Sequence, residues 1–103
     1  MYENLLEPIA LGPTQIANRV FNPPHGTTLG LSGAVTEDFI AYHQARAKGG
    51  VGLIIIEGMC FHPSVDFEKA YLYAGNDKII PGITKLSKAC KAHNTSVFGQ
   101  LFH

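Results

Sequence analysis

Residues 51 to 58 read "VGLIIIEG". A continuous apolar run rich in β-branched residues, with no polar-apolar alternation, is the pattern of a strand buried on both faces of a parallel sheet. The predicted strand covers residues 51–57. Parallel strands need crossover helices, and the sequence supplies one on each side. Upstream, Thr36 is a good N-cap for "EDFIAYHQARAK", with Glu37 and Asp38 in the positive first turn and Lys48 near the negative end. Gly49-Gly50 offers the left-handed stop after it. Downstream, Ile79, Ile83, Leu86, Cys90 and His93 follow helical spacing on one face, Pro81 fits the first turn and Asn94 the exit, so a second helix is predicted over about residues 79–93.

Further strands flank these helices: residues 19–23, ended by Pro23 and Pro24, which cannot donate to a ladder, and residues 96–101, "SVFGQL". The order is β-α-β-α-β, with short αβ turns and long βα loops, among them an irregular connection over residues 61–77. In parallel α/β folds the loops after the strands' C-terminal ends build the site. The turn after the first strand, "PPHGTTLG", is not G-x-G-x-x-G, which disfavours a Rossmann dinucleotide site and leaves both a barrel and a flavodoxin-like sheet open.

The chain has 103 residues, 46% hydrophobic and 16% charged, with 8 basic and 8 acidic side chains. Zero net charge gives no electrostatic reason to expect nucleic acid or an acidic membrane surface. No apolar run approaches a membrane span, and "MYENLLEPIALG" has neither the basic nor the apolar region of a signal peptide. Cys60 and Cys90 are too few and too far apart for a disulfide framework or zinc pair. A cytoplasmic location is the plain expectation. The chain stops at "SVFGQLFH", at the end of a strand, where domains seldom finish, so a domain truncated after its third strand is expected.

Three groups fall at the strands' C-terminal ends: Pro24-His25-Gly26-Thr27, Glu57-Gly58-Met59 and Gln100-Leu101-Phe102-His103. Their intervals each suit one barrel unit of roughly 30 residues plus a loop. Alone, Pro24-His25-Gly26 reads as a rigid turn with His25 bonded to a neighbouring carbonyl, Gly58 as relief at a tight strand exit, and Glu57 as a partner for a basic side chain. Gln100 reads as a buried amide whose donors and acceptors a heteroaromatic ligand edge would satisfy. A rival uses His25, His62 and His103 as metal ligands, although no H-x-H or H-E-x-x-H pair fixes two of them on one element.

The stretches "LLEPIALGPTQIANRV", "IAYHQARAKGGVGLIIIEG" and "FGQLFH" resemble the opening of the NADH:flavin oxidoreductase / Old Yellow Enzyme family along the whole chain. The resemblance implies a short β-hairpin before the first strand and a (β/α)₈ TIM barrel, of which residues 1–103 supply about three β/α elements. It implies FMN held at the barrel mouth, NAD(P)H as reductant, and a small-molecule substrate with an activated C=C bond that receives hydride through FMN. Position by position, Pro24, His25 and Gly26 match backbone that lies against the flavin. Gly58 matches a small residue where a side chain would strike the ring system, Gln100 an amide on the pyrimidine edge, and Thr27 a further contact near a flavin carbonyl or N5. Many relatives carry Met-Thr or Met-Cys where this chain has His25-Gly26. That histidine is similar to longer members of the 2,4-dienoyl-CoA reductase type, which add a 4Fe-4S cluster and a second nucleotide site for FAD. The family's proton donor and substrate anchors lie beyond His103. Two rivals of other classes stand beside it: a barrel metallohydrolase using the strand-end histidines, and a non-catalytic flavodoxin-like module.

Overall fold

An antiparallel hairpin comes first, β1 (Ile9–Leu11) and β2 (Thr14–Ile16), turning at Gly12 with φ +57°. The main chain then runs through β3 (Phe21–Asn22), α1 (Glu37–Lys48), β4 (Leu53–Cys60), a 3₁₀ turn (Asp77–Ile79), α2 (Ile80–Lys91) and β5 (Ser96–Phe102). The computed structural model describes residues 2–66, 69 and 71–103; Met1 lies outside them, as do Phe67, Glu68 and Ala70 of the irregular connection. Strands β3, β4 and β5 form one sheet in that order, all parallel, with α1 and α2 as the crossovers.

The caps behave as their chemistry demands. Thr36 Oγ1 accepts the Phe39 N–H, Asn76 accepts from Lys78, and the left-handed residues after the helices are Gly50 (φ +96°) and Asn94 (φ +61°). The second helix takes α-geometry from Ile80, one residue after the predicted start, because Asp77–Ile79 close as a 3₁₀ turn, and it ends at Lys91, two residues before the predicted end. Strand β3 is shorter than the predicted 19–23. Asn18 accounts for this: its Oδ1 takes the Val20 N–H at 3.0 Å and its Nδ2 donates to the Gly50 carbonyl at 2.8 Å, so a side chain satisfies the strand's entry. Gly52 is needed there, since a Cβ would lie 2.7 Å from the Asn18 carbonyl oxygen.

The core lies between helices and sheet. Ile54 and Ile56 of β4 meet Phe39, Ile40 and Ala47 of α1 and Leu86 and Cys90 of α2, all buried. At roughly 1.5–3 kcal/mol per fully buried large apolar side chain, this layer is the fold's main stabilising term. The opposite face of β4 carries Leu53 and Ile55, which with Ile9, Leu11 and Ile16 of the hairpin line an apolar hollow of about 350 Å³. Burial on both faces, expected for β4, is therefore complete on the helix side and partial on the other. The β4–β5 register breaks once. Ile55 pairs with Phe98 but Gly58 with Gln100, so β4 holds one extra residue, a bulge.

Candidate functional site

Beyond the bulge the three strand ends enclose an open cleft of about 360 Å³, lined by Pro24, His25, Gly26, Glu57, Gly58, Tyr71, Gln100 and Phe102. The bulge explains why the consecutive residues Glu57 and Gly58 both reach it: one residue is added to a strand that would otherwise alternate faces. Five of the six residues singled out from sequence as cofactor contacts thus share one wall. The sixth, Thr27, stands just behind it.

Thr27 and Glu57 form the wall's polar anchor. The Thr27 N–H donates to Glu57 Oε1 at 3.0 Å, and the Thr27 hydroxyl donates to the same oxygen. Thr27 Oγ1 also accepts the Leu29 N–H at 3.2 Å. This corrects the expectation that Glu57 pairs with a basic side chain. The carboxylate is 4% exposed, makes no ion pair among the described residues, and is held by the donors of a loop threonine instead.

His25 does bond a neighbouring carbonyl, Pro23 O, through Nδ1 at 3.1 Å, while Nε2 lies 2.6 Å from the Tyr42 hydroxyl on α1. Gly26 opens on empty space, with nothing within 4 Å of an added Cβ. At Gly58 an added Cβ would strike the Phe102 ring, so that ring takes the space a side chain here would need. Gln100 is exposed rather than buried. The reason is its place on β5, the edge strand, whose inner face meets no opposing wall within these residues. Its amide has no hydrogen-bond partner among the described residues and opens into the cleft, leaving donors and acceptors free.

An exposed amide, two side-chain-free positions and flanking aromatic surface suit the edge and face of a flat heteroaromatic group. FMN fits this donor set: Gln100 would meet its pyrimidine edge and Gly26 would let backbone approach its rings, while at Gly58 the Phe102 ring takes the space a side chain would fill. Sequence reasoning missed Tyr42 and Tyr71, and placed Phe102 at the strand end without giving it a role. For Tyr42 one signal existed, its i,i+4 spacing to Arg46 on α1.

The strand-end histidines do not converge. His25 pairs with Tyr42, whereas His62 Nδ1 and His103 Nε2 meet across Ser64 Oγ at 2.8 and 2.9 Å. Among the described residues no group of three or more His, Cys, Asp or Glu could hold a metal ion. Cys60 and Cys90 are free and buried. Burial raises the Cys90 thiol above its ordinary range, as expected of a packing residue. Among the described residues no helix is long and apolar enough to cross a membrane.

Residues 4–103 match the NADH:flavin oxidoreductase / NADH oxidase family. The chain is 34% identical over 104 residues to NADH oxidase from Thermoanaerobacter brockii, covering 99% of this chain and 16% of that protein. In structure it superposes on a 2-naphthoyl-CoA reductase–2-naphthoyl-CoA complex with a TM-score of 0.90 at 29% identity, covering 100% of this chain and 16% of that one. It superposes on 6-hydroxypseudooxynicotine amine oxidase from Pseudomonas geniculata N1 with a TM-score of 0.88 at 31% identity, covering 99% and 15%. The chain thus spans about a sixth of the length of these relatives.

Proposed function

The chain belongs to the NADH:flavin oxidoreductase / NADH oxidase family, and from that premise we propose that it forms the first three β/α units of an FMN-dependent, Old Yellow Enzyme-like barrel that reduces activated C=C bonds with NAD(P)H. The carrying observation is the cleft itself, where Pro24, His25, Gly26, Gly58 and Gln100 share one wall at the C-terminal ends of consecutive parallel strands. Bound FMN supplies a two-electron carrier between nicotinamide and substrate. The residues present bind and orient it. Gln100 reads the pyrimidine edge, the Pro24–Gly26 backbone brings main chain within van der Waals reach of flat rings, and Gly58 leaves room for the Phe102 ring at the same wall. Thr27 acts through Glu57: with its proton committed to the carboxylate, it holds the loop and can offer a flavin only an oxygen lone pair.

These residues form a cofactor wall and leave the proton donor and substrate anchors to strands beyond His103, in keeping with a domain that continues past residue 103. The 16% coverage of the relatives leaves room for further domains, where a 4Fe-4S cluster and FAD would belong. Cys60 and Cys90, buried in this sheet and helix pair, are not its ligands. Two free thiols suit a reducing cytoplasm. A small molecule is the substrate on this reading, and zero net charge gives no electrostatic reason to look for nucleic acid or an acidic membrane surface as partner. Neither a histidine metal centre nor a flavodoxin-like module gains support from any observation.

The test is FMN titration of the complete barrel. Gly26→Val and Gln100→Ala are each expected to weaken FMN binding at least tenfold while leaving the apo fold intact, because neither side chain position contributes to the core. Wild-type protein that purifies without flavin and takes up none would overturn the reading.

A further inference from the structure

The loop after β3 is tied down on two sides. Thr27 joins it to β4 through Glu57, and His25 joins it to α1 through Tyr42. The second tie has a direction that can be worked out. A carbonyl oxygen only accepts, so the 3.1 Å contact to Pro23 O places the proton on His25 Nδ1. The neutral ring then carries a bare lone pair on Nε2, and the Tyr42 hydroxyl at 2.6 Å donates to it.

The reverse arrangement, an imidazolium donating to the phenol oxygen, is opposed by Arg46. Its guanidinium lies 3.4 Å over the Tyr42 ring and donates to the Tyr42 carbonyl at 2.9 Å, one helical turn away. A cation on that ring face draws electron density from the phenol, which strengthens its O–H as donor and weakens its oxygen as acceptor. It also repels a second cation at His25. The Tyr42 ring is further clamped edge-to-face against His43, with centroids 5.1 Å apart at 88°, so the hydroxyl's aim is set by packing.

We propose that Tyr42 is a positioning residue of the cleft: with Arg46 stacked on its ring, it holds His25 as the neutral Nδ1–H tautomer and thereby pins the Pro24–Gly26 backbone where the flavin binds. Only the last clause rests on the flavin reading; the tautomer stands on geometry alone. Tyr42 supplies the hydrogen-bond partner that the second ring nitrogen of His25 requires.

Imidazole ¹⁵N spectra of the complete protein without FMN test the first part. Wild-type His25 is expected to show a protonated Nδ1 and a bare, hydrogen-bonded Nε2. In Tyr42→Phe the Nε2 signal moves and the second tautomer appears, while Tyr2→Phe leaves His25 unchanged. A wild-type His25 that is doubly protonated, or protonated on Nε2 alone, overturns the assignment even if Tyr42→Phe does not fold. FMN titration tests the second part. Loss of one hydrogen bond of ordinary strength is expected to weaken FMN binding about five- to tenfold in Tyr42→Phe. Unchanged affinity in a folded Tyr42→Phe overturns the pinning. If wild-type protein takes up no FMN, the flavin reading and the pinning fall together, and the spectra still judge the tautomer.

Discussion

Thr27→Val tests the anchor behind the cleft. Valine keeps the shape of threonine and opens no cavity, so the loss is confined to hydrogen bonding. Thr27 donates twice to Glu57 Oε1, once from its N–H and once from its hydroxyl, and the receiving carboxylate is 4% exposed with no ion-pair partner among the described residues. Removing the hydroxyl deletes one hydrogen bond to a charged group, about 1.5–3 kcal/mol. It also strips the Leu29 N–H of its 3.2 Å acceptor, a long bond contributing roughly 0.5–1 kcal/mol. The expected cost is about 2–4 kcal/mol. Glu57→Gln keeps an acceptor oxygen but loses the charge, and is expected to cost about 1–2 kcal/mol. Urea unfolding of the complete protein without FMN, run as a double-mutant cycle on Thr27→Val and Glu57→Gln, isolates the pair. A coupling of at least about 1 kcal/mol is expected. Thr27→Val costing under about 0.5 kcal/mol, or a coupling near zero, would show that Glu57 is satisfied in some other way.

Three further outcomes are expected. His43 is 1% exposed with neither ring nitrogen bonded among the described residues, and burial first, then the Arg46 charge, hold its pKa down at about 4 against 6.5 when unfolded. Its neutral form is the folded form, so its contribution is complete above pH 6.5 and is lost as pH falls toward 4. Stability should drop by roughly 2–3 kcal/mol from pH 7.5 to 4.5 in urea titrations, a drop that His43→Leu should largely remove; an unchanged drop would sink the assignment. Gly50→Ala should cost about 1–2 kcal/mol by the same assay, although nothing lies within 4 Å of the added methyl, because φ is +96°; a neutral substitution would mean that the turn relaxes freely. The 103-residue chain alone should run as aggregates in size-exclusion chromatography and leave FMN fluorescence unquenched, since β5 is an open edge bearing exposed Leu101 and Phe102. A yellow, monomeric, active preparation would refute that.

Elements that carry their own local signal were legible. The β-branched run of β4, the Thr36 cap and the Gly49-Gly50 stop of α1, and the apolar stripe of α2 each follow from short-range chemistry. The hairpin came only through family resemblance, because strands of three residues show no periodicity. Contacts made across the fold were not legible. Glu57 meeting Thr27 depends on how the β3 loop folds over β4, and His25 meeting Tyr42 depends on where α1 packs. Apolar neighbours in a strand imply burial for Gln100, yet burial is a property of the facing wall, and within these residues β5 has none. The strand-end alignment of His25, Gly58 and Gln100 was nonetheless correct, since parallel topology alone brings the strands' C-terminal ends together.

The extra residue in β4 also shifts the strand's phase. Below it Leu53, Ile55 and Glu57 point away from the helices; above it Gly58 lines the cleft while Met59 packs toward the helix-side core. Odd positions serve the inner face before the bulge and even positions after it. Roles transferred from another barrel by counting from the start of this strand therefore fall one place out past Ile55. Deleting Glu57 would regularise the ladder, leave Gly58 opposite Gln100 and Met59 on the helix side, and remove the carboxylate that anchors Thr27. A single irregular residue thus lets one strand present two consecutive residues, the anchoring carboxylate and a glycine, to the same cleft.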